Sequence, residues 1–132
     1  MNTEELGTFG ARYAASSCSQ NAERVAAFFE EKGYLEINAG LPSVGRAAIT
    51  AAAQSFMTAF PDMIVSMDEV SANEGGAVFQ WTLVGSNTGP GGTGNRVRIS
   101  GFEEWKFGKN GLVGESRGHF DEAEYQRQLS GR

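Results

Sequence analysis

The sequence is short of histidine and cysteine, with one of each in 132 residues. His119 and Cys18 alone cannot make a zinc-type ligand set, which takes several such side chains. A lone cysteine also excludes a disulfide within the chain and suits a reducing compartment. Cys18 falls on the apolar face of a first helix, where it reads as a small hydrophobe rather than a reactive thiol. A nucleophilic triad is poorly served as well. Serines are plentiful, but His119 is the only candidate base and no serine sits in a recognisable nucleophile turn. Positive charge is scarce: 11 Lys and Arg face 16 Asp and Glu, the net charge is −5, and the basic residues are scattered. Phosphate backbones and anionic lipid surfaces need clustered cations, so neither nucleic acid nor a membrane is an expected partner. No apolar run approaches the roughly 20 residues needed to span a bilayer. Met1-Asn2-Thr3-Glu4-Glu5 has neither a basic stretch nor an apolar one. No signal peptide is therefore expected, and a cytoplasmic location is.

What is present is the material of one core. The hydrophobic fraction is 40%, with nine Phe, three Tyr and two Trp. A single domain over residues 1–132 is expected, burying roughly two-thirds of its unfolded surface. Leu6, Phe9, Tyr13 and Ala14 recur at helical spacing and predict a helix from about Thr3 to Cys18. Val25, Phe28 and Phe29 stripe a second, short helix that Gly33 stops. Tyr34 to Asn38 alternates like a short strand. Ile49, Ala52, Ala53, Phe56 and Phe60 stripe a third helix from about Arg46, closed by Pro61.

From Met63 onward the period switches to two. Met63, Val65 and Met67 share a face, as do Phe79, Trp81 and Leu83. Val97, Ile99, Gly101, Glu103, Trp105 and Phe107 form a third such row. Lys109-Asn110-Gly111 is a hairpin signal, followed by a strand from Leu112 to about Phe120 and a short final helix. Helices bunched before strands argue α+β, with a curved antiparallel sheet around a small apolar pocket.

Gly89-Pro90-Gly91-Gly92-Thr93-Gly94 spells a dinucleotide-type glycine pattern. That pattern must open a helix, and here the strand-like Arg96-Val97-Arg98-Ile99 follows, so it reads as a hairpin loop.

Among candidate site residues, Glu103 is the most informative. A carboxyl among Val97, Ile99, Trp105 and Phe107 would be desolvated, which raises its pKa and suits it to general acid/base work. The alternative is a bulge or an arginine pair that lets it reach solvent. Glu36 shares a strand face with Asn38 and is a second candidate base, with a solvated strand edge as its alternative. His119 lies in a charged row with Glu115, Arg117 and Asp121. That row faces solvent or a partner more naturally than a pocket, although His119 is retained as a candidate pocket base. Asp121 opens the last helix in a capping-box-like run. Tyr13, Phe56, Trp81 and Trp105 serve equally as core or as pocket lining.

Several ordered segments resemble the SnoaL-like polyketide cyclases of the nuclear transport factor 2-like superfamily. They are Gly45-Arg46-Ala47-Ala48-Ile49, Phe60-Pro61-Asp62, Trp81 through Gly89, Asn110-Gly111-Leu112-Val113, Phe120-Asp121 and Arg127-Gln128-Leu129. The resemblance implies a cone-shaped α+β barrel, with helices packed on a strongly curved, mainly antiparallel sheet enclosing a pocket. It also implies a homodimer pairing sheet faces, a small apolar oxygenated ligand and no cofactor. It places the cyclases' acid/base aspartate at Gly118, which has no side chain to titrate, and a pocket polar residue at Asn87. Two readings stand side by side. One is a proton-transfer enzyme of isomerase, cyclase or dehydratase type using Glu103 and Glu36. The other is a non-catalytic ligand-binding or dimeric interaction module.

Overall fold

The computed structural model describes residues 1–131. The chain opens with helix α1 (Thr3–Ser17), whose start is fixed by a capping box: the Asn2 side chain accepts from Glu5 N, and the Glu5 side chain accepts from Asn2 N. After it come α2 (Ala22–Ala26), strand β1 (Phe29–Ile37), β2 (Ser43–Val44) and helix α3 (Arg46–Ala59). Then follow β3 (Ile64–Asn73), β4 (Gly76–Ser86), β5 (Arg96–Phe107), β6 (Val113–Phe120) and helix α4 (Glu122–Leu129). The strands form one sheet in the order β2-β1-β6-β5-β4-β3. All neighbours are antiparallel except β1 and β6, which run parallel.

The period-two pattern has its expected consequence. On β5, Val97, Ile99 and Trp105 are buried while Arg96, Arg98, Phe102, Glu104 and Lys106 are exposed. The inner face carries the core, in which Phe79 stacks on Trp105 at 4.9 Å and Tyr13 meets both rings edge-on. Helix α1 lies against β3, and Gly10 marks the closest approach. A Cβ there would stand 2.6 Å from Met67 Sδ, so a larger residue would require the methionine side chain to move aside. Helix α4 begins at Asp121, whose side chain accepts from Glu124 N at 3.0 Å. It ends against β5, where the Gln128 amide bonds both Arg98 N and Arg98 O at the stretch of strand that β6 no longer covers.

The second helix is shorter than its apolar stripe suggests. It stops at Ala26; Phe28 lies in the turn that follows and Phe29 begins β1, with Val113 N donating to Phe28 O. A five-residue helix gains little from propagation, whereas pairing with β6 satisfies the backbone and buries Phe29 completely. Gly33 is therefore not a helix stop. It lies within β1 at a register shift, and a Cβ there would stand 2.9 Å from Val113 O. The two-residue β2, pairing with Tyr34 and Leu35, was not foreseen, since Pro42 and its brevity hide it.

Candidate functional site

The inner face of the sheet, α1, α3 and α4 enclose a cavity of about 120 Å³. Its wall is almost wholly apolar. Leu35 and Ile37 come from β1, Phe56 and Met57 from α3, Phe79, Trp81 and Leu83 from β4, and Phe120 and Tyr125 from the C-terminal end. Tyr13, Glu103 and Gly118 line it as well.

Glu103 is the charged residue in that wall, and its surroundings define the site. Strand alternation points it inward between Gly101 and Trp105, and its cross-strand neighbours are Phe79 and Gly118. Three donors converge on its Oε1: Ser116 Oγ at 2.7 Å, Trp105 Nε1 at 3.0 Å and the Tyr13 hydroxyl at 3.1 Å. Oε2 has only a longer contact to the same Tyr13 hydroxyl, at 3.3 Å. By surface area Glu103 is only partly buried, because it lines the cavity; by the atoms packed around it, the carboxyl is fully enclosed.

Two opposed effects act on its proton. Desolvation favours the neutral acid, while the hydrogen bonds from Trp105, Ser116 and Tyr13 favour the carboxylate. Desolvation is the larger, and the pKa of Glu103 is raised. Burial, and then the nearby Glu103 charge, push the Tyr13 phenol well above its ordinary range, so it remains a donor. The arrangement is a carboxyl with one oxygen fixed by three donors and the other nearly free beside an apolar space. Such a group can take a proton from a bound molecule or give one back.

The remaining candidates are dispersed. Trp105 is buried behind Glu103, which it orients through its indole N–H. Glu36 alternates with the cavity-lining Leu35 and Ile37, so it stands on the opposite face, opposite Arg117 on β6, whose charge it supports. It is not in the cavity. Asn38 leaves the strand at φ 51° and spends its side chain on β6, its Oδ1 accepting from Phe120 N at 2.9 Å. Asn87 is buried, but it holds the glycine-rich loop closed rather than facing the cavity. Its amide donates to Ala59 O, and its Oδ1 accepts from Thr93 N at 2.8 Å. That loop leads from β4 into β5 and opens no helix. His119 also lies outside the cavity, on the outer face. Its ring stacks on Phe102 at 4.6 Å, and its Nε2 is 3.0 Å from Glu104 Oε2. For Glu36 and His119 the reason is strand parity: each is flanked by two cavity-lining residues, Leu35 and Ile37 or Gly118 and Phe120, and so faces out.

Two contributors carried no role in the sequence reading. Ser116 falls on the inward face of β6 with Gly118, and a buried serine on a strand facing a buried acid is a usable signal for such a donor. Tyr125 gave little signal, because its place depends on how α4 folds back over the cavity.

A family model for the SnoaL-like polyketide cyclases matches residues 10–129. The chain belongs to the SnoaL-like polyketide cyclase family. The fold agrees with solved members and relatives. A hypothetical protein with a ketosteroid isomerase-like fold from Catenulispora acidiphila DSM 44928, in complex with trimethylamine, superposes with a TM-score of 0.80 at 13% identity, covering 97% of this chain and 94% of that one. A SnoaL-like polyketide cyclase candidate from Jannaschia sp. CCS1 gives 0.78 at 15% identity, covering 100% and 99%. SalBIII, an epoxide hydrolase/cyclase-like enzyme of pyran ring formation in salinomycin, gives 0.79 at 16%, covering 93% and 95%. No curated protein matches the chain. At these identities the likeness carries the fold and not the reaction. The family's cone-shaped α+β architecture is the one described above, with the sheet left open rather than closed into a barrel.

Proposed function

We propose that this SnoaL-like protein binds a small apolar, oxygenated molecule in the inner cavity and catalyses a proton transfer on it without a cofactor, as an isomerase, cyclase or dehydratase does. Glu103 is the acid/base group, and Tyr13, Trp105 and Ser116 are positioning residues that fix its orientation. The observation that carries this reading is the asymmetry of the carboxyl, with Oε1 taken by three donors and Oε2 nearly free at the cavity wall. A base so held needs no reorganisation when it accepts a proton, and general acid/base catalysis of this kind contributes about 10²–10⁴-fold. The family's aspartate position falls on Gly118, directly across the β5–β6 ladder from Glu103. The working carboxyl has in effect moved to the neighbouring strand while addressing the same space.

The test needs no knowledge of the natural substrate. 2-Indanone carries an acidic C–H beside a ketone on a compact apolar ring. Exchange of that hydrogen for deuterium in D₂O, followed by proton NMR, should be accelerated by the native protein and fall about 100-fold or more in Glu103→Gln. Equal exchange by both proteins would remove Glu103 from the role.

A second reading is supported by the same three donors: they also suit a permanently ionised, purely structural carboxylate in a ligand-binding module. No acceleration of exchange by either protein, with ligand bound in both, would favour it. A homodimer through the outer sheet face belongs to this proposal as well. Ile64 and Phe102 are exposed there, and the acidic Asp68 and Glu69 on β3 share that face with the basic Arg98 and Arg117 on β5 and β6, which suits a two-fold pairing. Sedimentation velocity reads it directly, a monomer at micromolar concentration being the contrary result.

A further inference from the structure

Glu103 is not the only polar group in the cavity wall, and the others differ from it in one respect. Trp81 lines the cavity, and its Nε1 is buried with no hydrogen-bond acceptor among the described residues. Tyr125 lines it too, and no described group bonds its hydroxyl. Both rings pack on Phe120, with centroids 6.0 Å from Trp81 and 5.4 Å from Tyr125. The rings that carry the two unused donors therefore both pack on one phenylalanine at one end of the cavity. The position of Trp81 is built in by its cross-strand partner Gly101, where a Cβ would stand 2.6 Å from Trp81 Cζ2. The missing side chain lets the indole lie down across β5.

The contrast with Glu103 is chemical. Glu103 accepts three hydrogen bonds from protein donors, so the buried donors at its end are matched. At the Phe120 end two donors stand with no acceptor, and a buried N–H left unmatched carries a desolvation cost that a bound oxygen relieves. Register fixes the spacing. Trp81 pairs with Gly101, which in turn pairs with Phe120, while Glu103 pairs with Gly118, so the two ends are two residues apart along β5 and β6, roughly 7 Å.

Building on the reading of this cavity as the ligand site, we propose that Trp81 Nε1 and the Tyr125 hydroxyl form an acceptor-oxygen subsite. The ligand is then an apolar ring compound bearing a ketone or comparable acceptor oxygen at the Phe120 end, with its reacting C–H toward Glu103. The cavity volume sets the scale. An apolar cavity of about 150 Å³ holds a benzene-sized ring, so the enclosed part here, about 120 Å³, takes one ring, with any remainder extending toward the mouth.

The matched probes are 2-indanone and indane, which share a shape and differ only in the ketone. The chain has two tryptophans, so its ¹⁵N–¹H spectrum holds two indole N–H signals, and the Trp81→Phe variant assigns them. The Trp81 signal should move on adding 2-indanone and stay in place on adding indane, while the Trp105 signal, already bonded to Glu103, reports no such difference. Tyr125→Phe, at the half-buried rim where folding is not at stake, should weaken 2-indanone binding roughly 3- to 10-fold and leave indane binding unchanged. Equal affinity for both probes, with cavity signals shifting and the Trp81 indole indifferent to the ketone, would overturn the subsite while leaving the cavity as a ligand site. Binding of neither probe would overturn the cavity reading and the subsite together.

Discussion

Glu103 and Glu104 are consecutive residues of β5 that meet opposite surroundings. Glu103 points into the core, accepts from Tyr13, Trp105 and Ser116, and has its pKa raised by desolvation. Glu104 points out, lies half-exposed, and pairs with His119 in water. The chemistry of the two side chains is the same, so the difference lies in the sheet face alone. Burial gives a carboxyl both its energetic importance and its altered acidity, while exposure leaves it screened and replaceable. The same contrast runs through the whole sheet. The inner face carries a cavity, and the outer face carries a polar array in which the Thr82 hydroxyl lies 2.6 Å from Asp68 Oδ2 and 2.7 Å from Ser100 Oγ.

The strongest challenge to this contrast is truncation of both carboxylates. Glu103→Ala strands three buried donors and enlarges the cavity, and should cost about 3–5 kcal/mol in urea unfolding. Glu104→Ala should cost less than about 0.5 kcal/mol. Similar losses at the two positions would contradict the account. Next in size is a pair of glycines. Gly101→Ala would bring a methyl 2.3 Å from His119 O and 2.6 Å from Trp81 Cζ2, and should destabilise by about 1–3 kcal/mol. Gly118→Ala meets nothing nearer than 3.5 Å and should change stability by less than about 1 kcal/mol while narrowing the cavity beside Glu103.

A pH series sharpens the same comparison. Because the folded state raises the pKa of Glu103, folding favours its protonated form. That contribution is fully present below the unfolded value of about 4.3 and is lost as pH rises through the folded value. Relative to Glu103→Gln, the native protein should therefore lose ground as pH rises above about 4. Denaturant midpoints across that range check the sign, and a difference independent of pH would count against a raised pKa. The smallest effect belongs to the outer face, where His119→Ala should cost less than about 1 kcal/mol even though it removes both the Phe102 stack and the Glu104 pair.

Much of the architecture was legible because period and parity are local. The alternation through β4 and β5 sorts their residues into two faces and places Glu103 among apolar neighbours. The family segments supplied the topology. What was not legible depended on neighbours distant in sequence. Phe28 and Phe29 suit a helix stripe, yet Phe28 ends in a turn and pairing with β6 draws Phe29 into a strand. Glu36 and Asn38 looked like a polar pocket face, yet Leu35 and Ile37 are the inward pair, because parity alone does not say which side the helices cover. Asn87 and Ser116 are both buried polar residues, but one secures a loop and the other the Glu103 carboxyl, a distinction set by what stands opposite. Tyr125 reaches the cavity only because α4 folds back onto Phe60 and Phe120.

The central claim is that Glu103 is a proton-carrying group rather than a fixed structural anion. The most direct measurement is a ¹³C NMR titration of the side-chain carboxyls, with Glu103 assigned from Glu103→Gln. The account predicts a Glu103 midpoint above the ordinary glutamate value of about 4.3, together with a coupled shift of the Trp105 indole N–H. A midpoint at or below that value would mean that the three donors outweigh burial, and it would contradict the account.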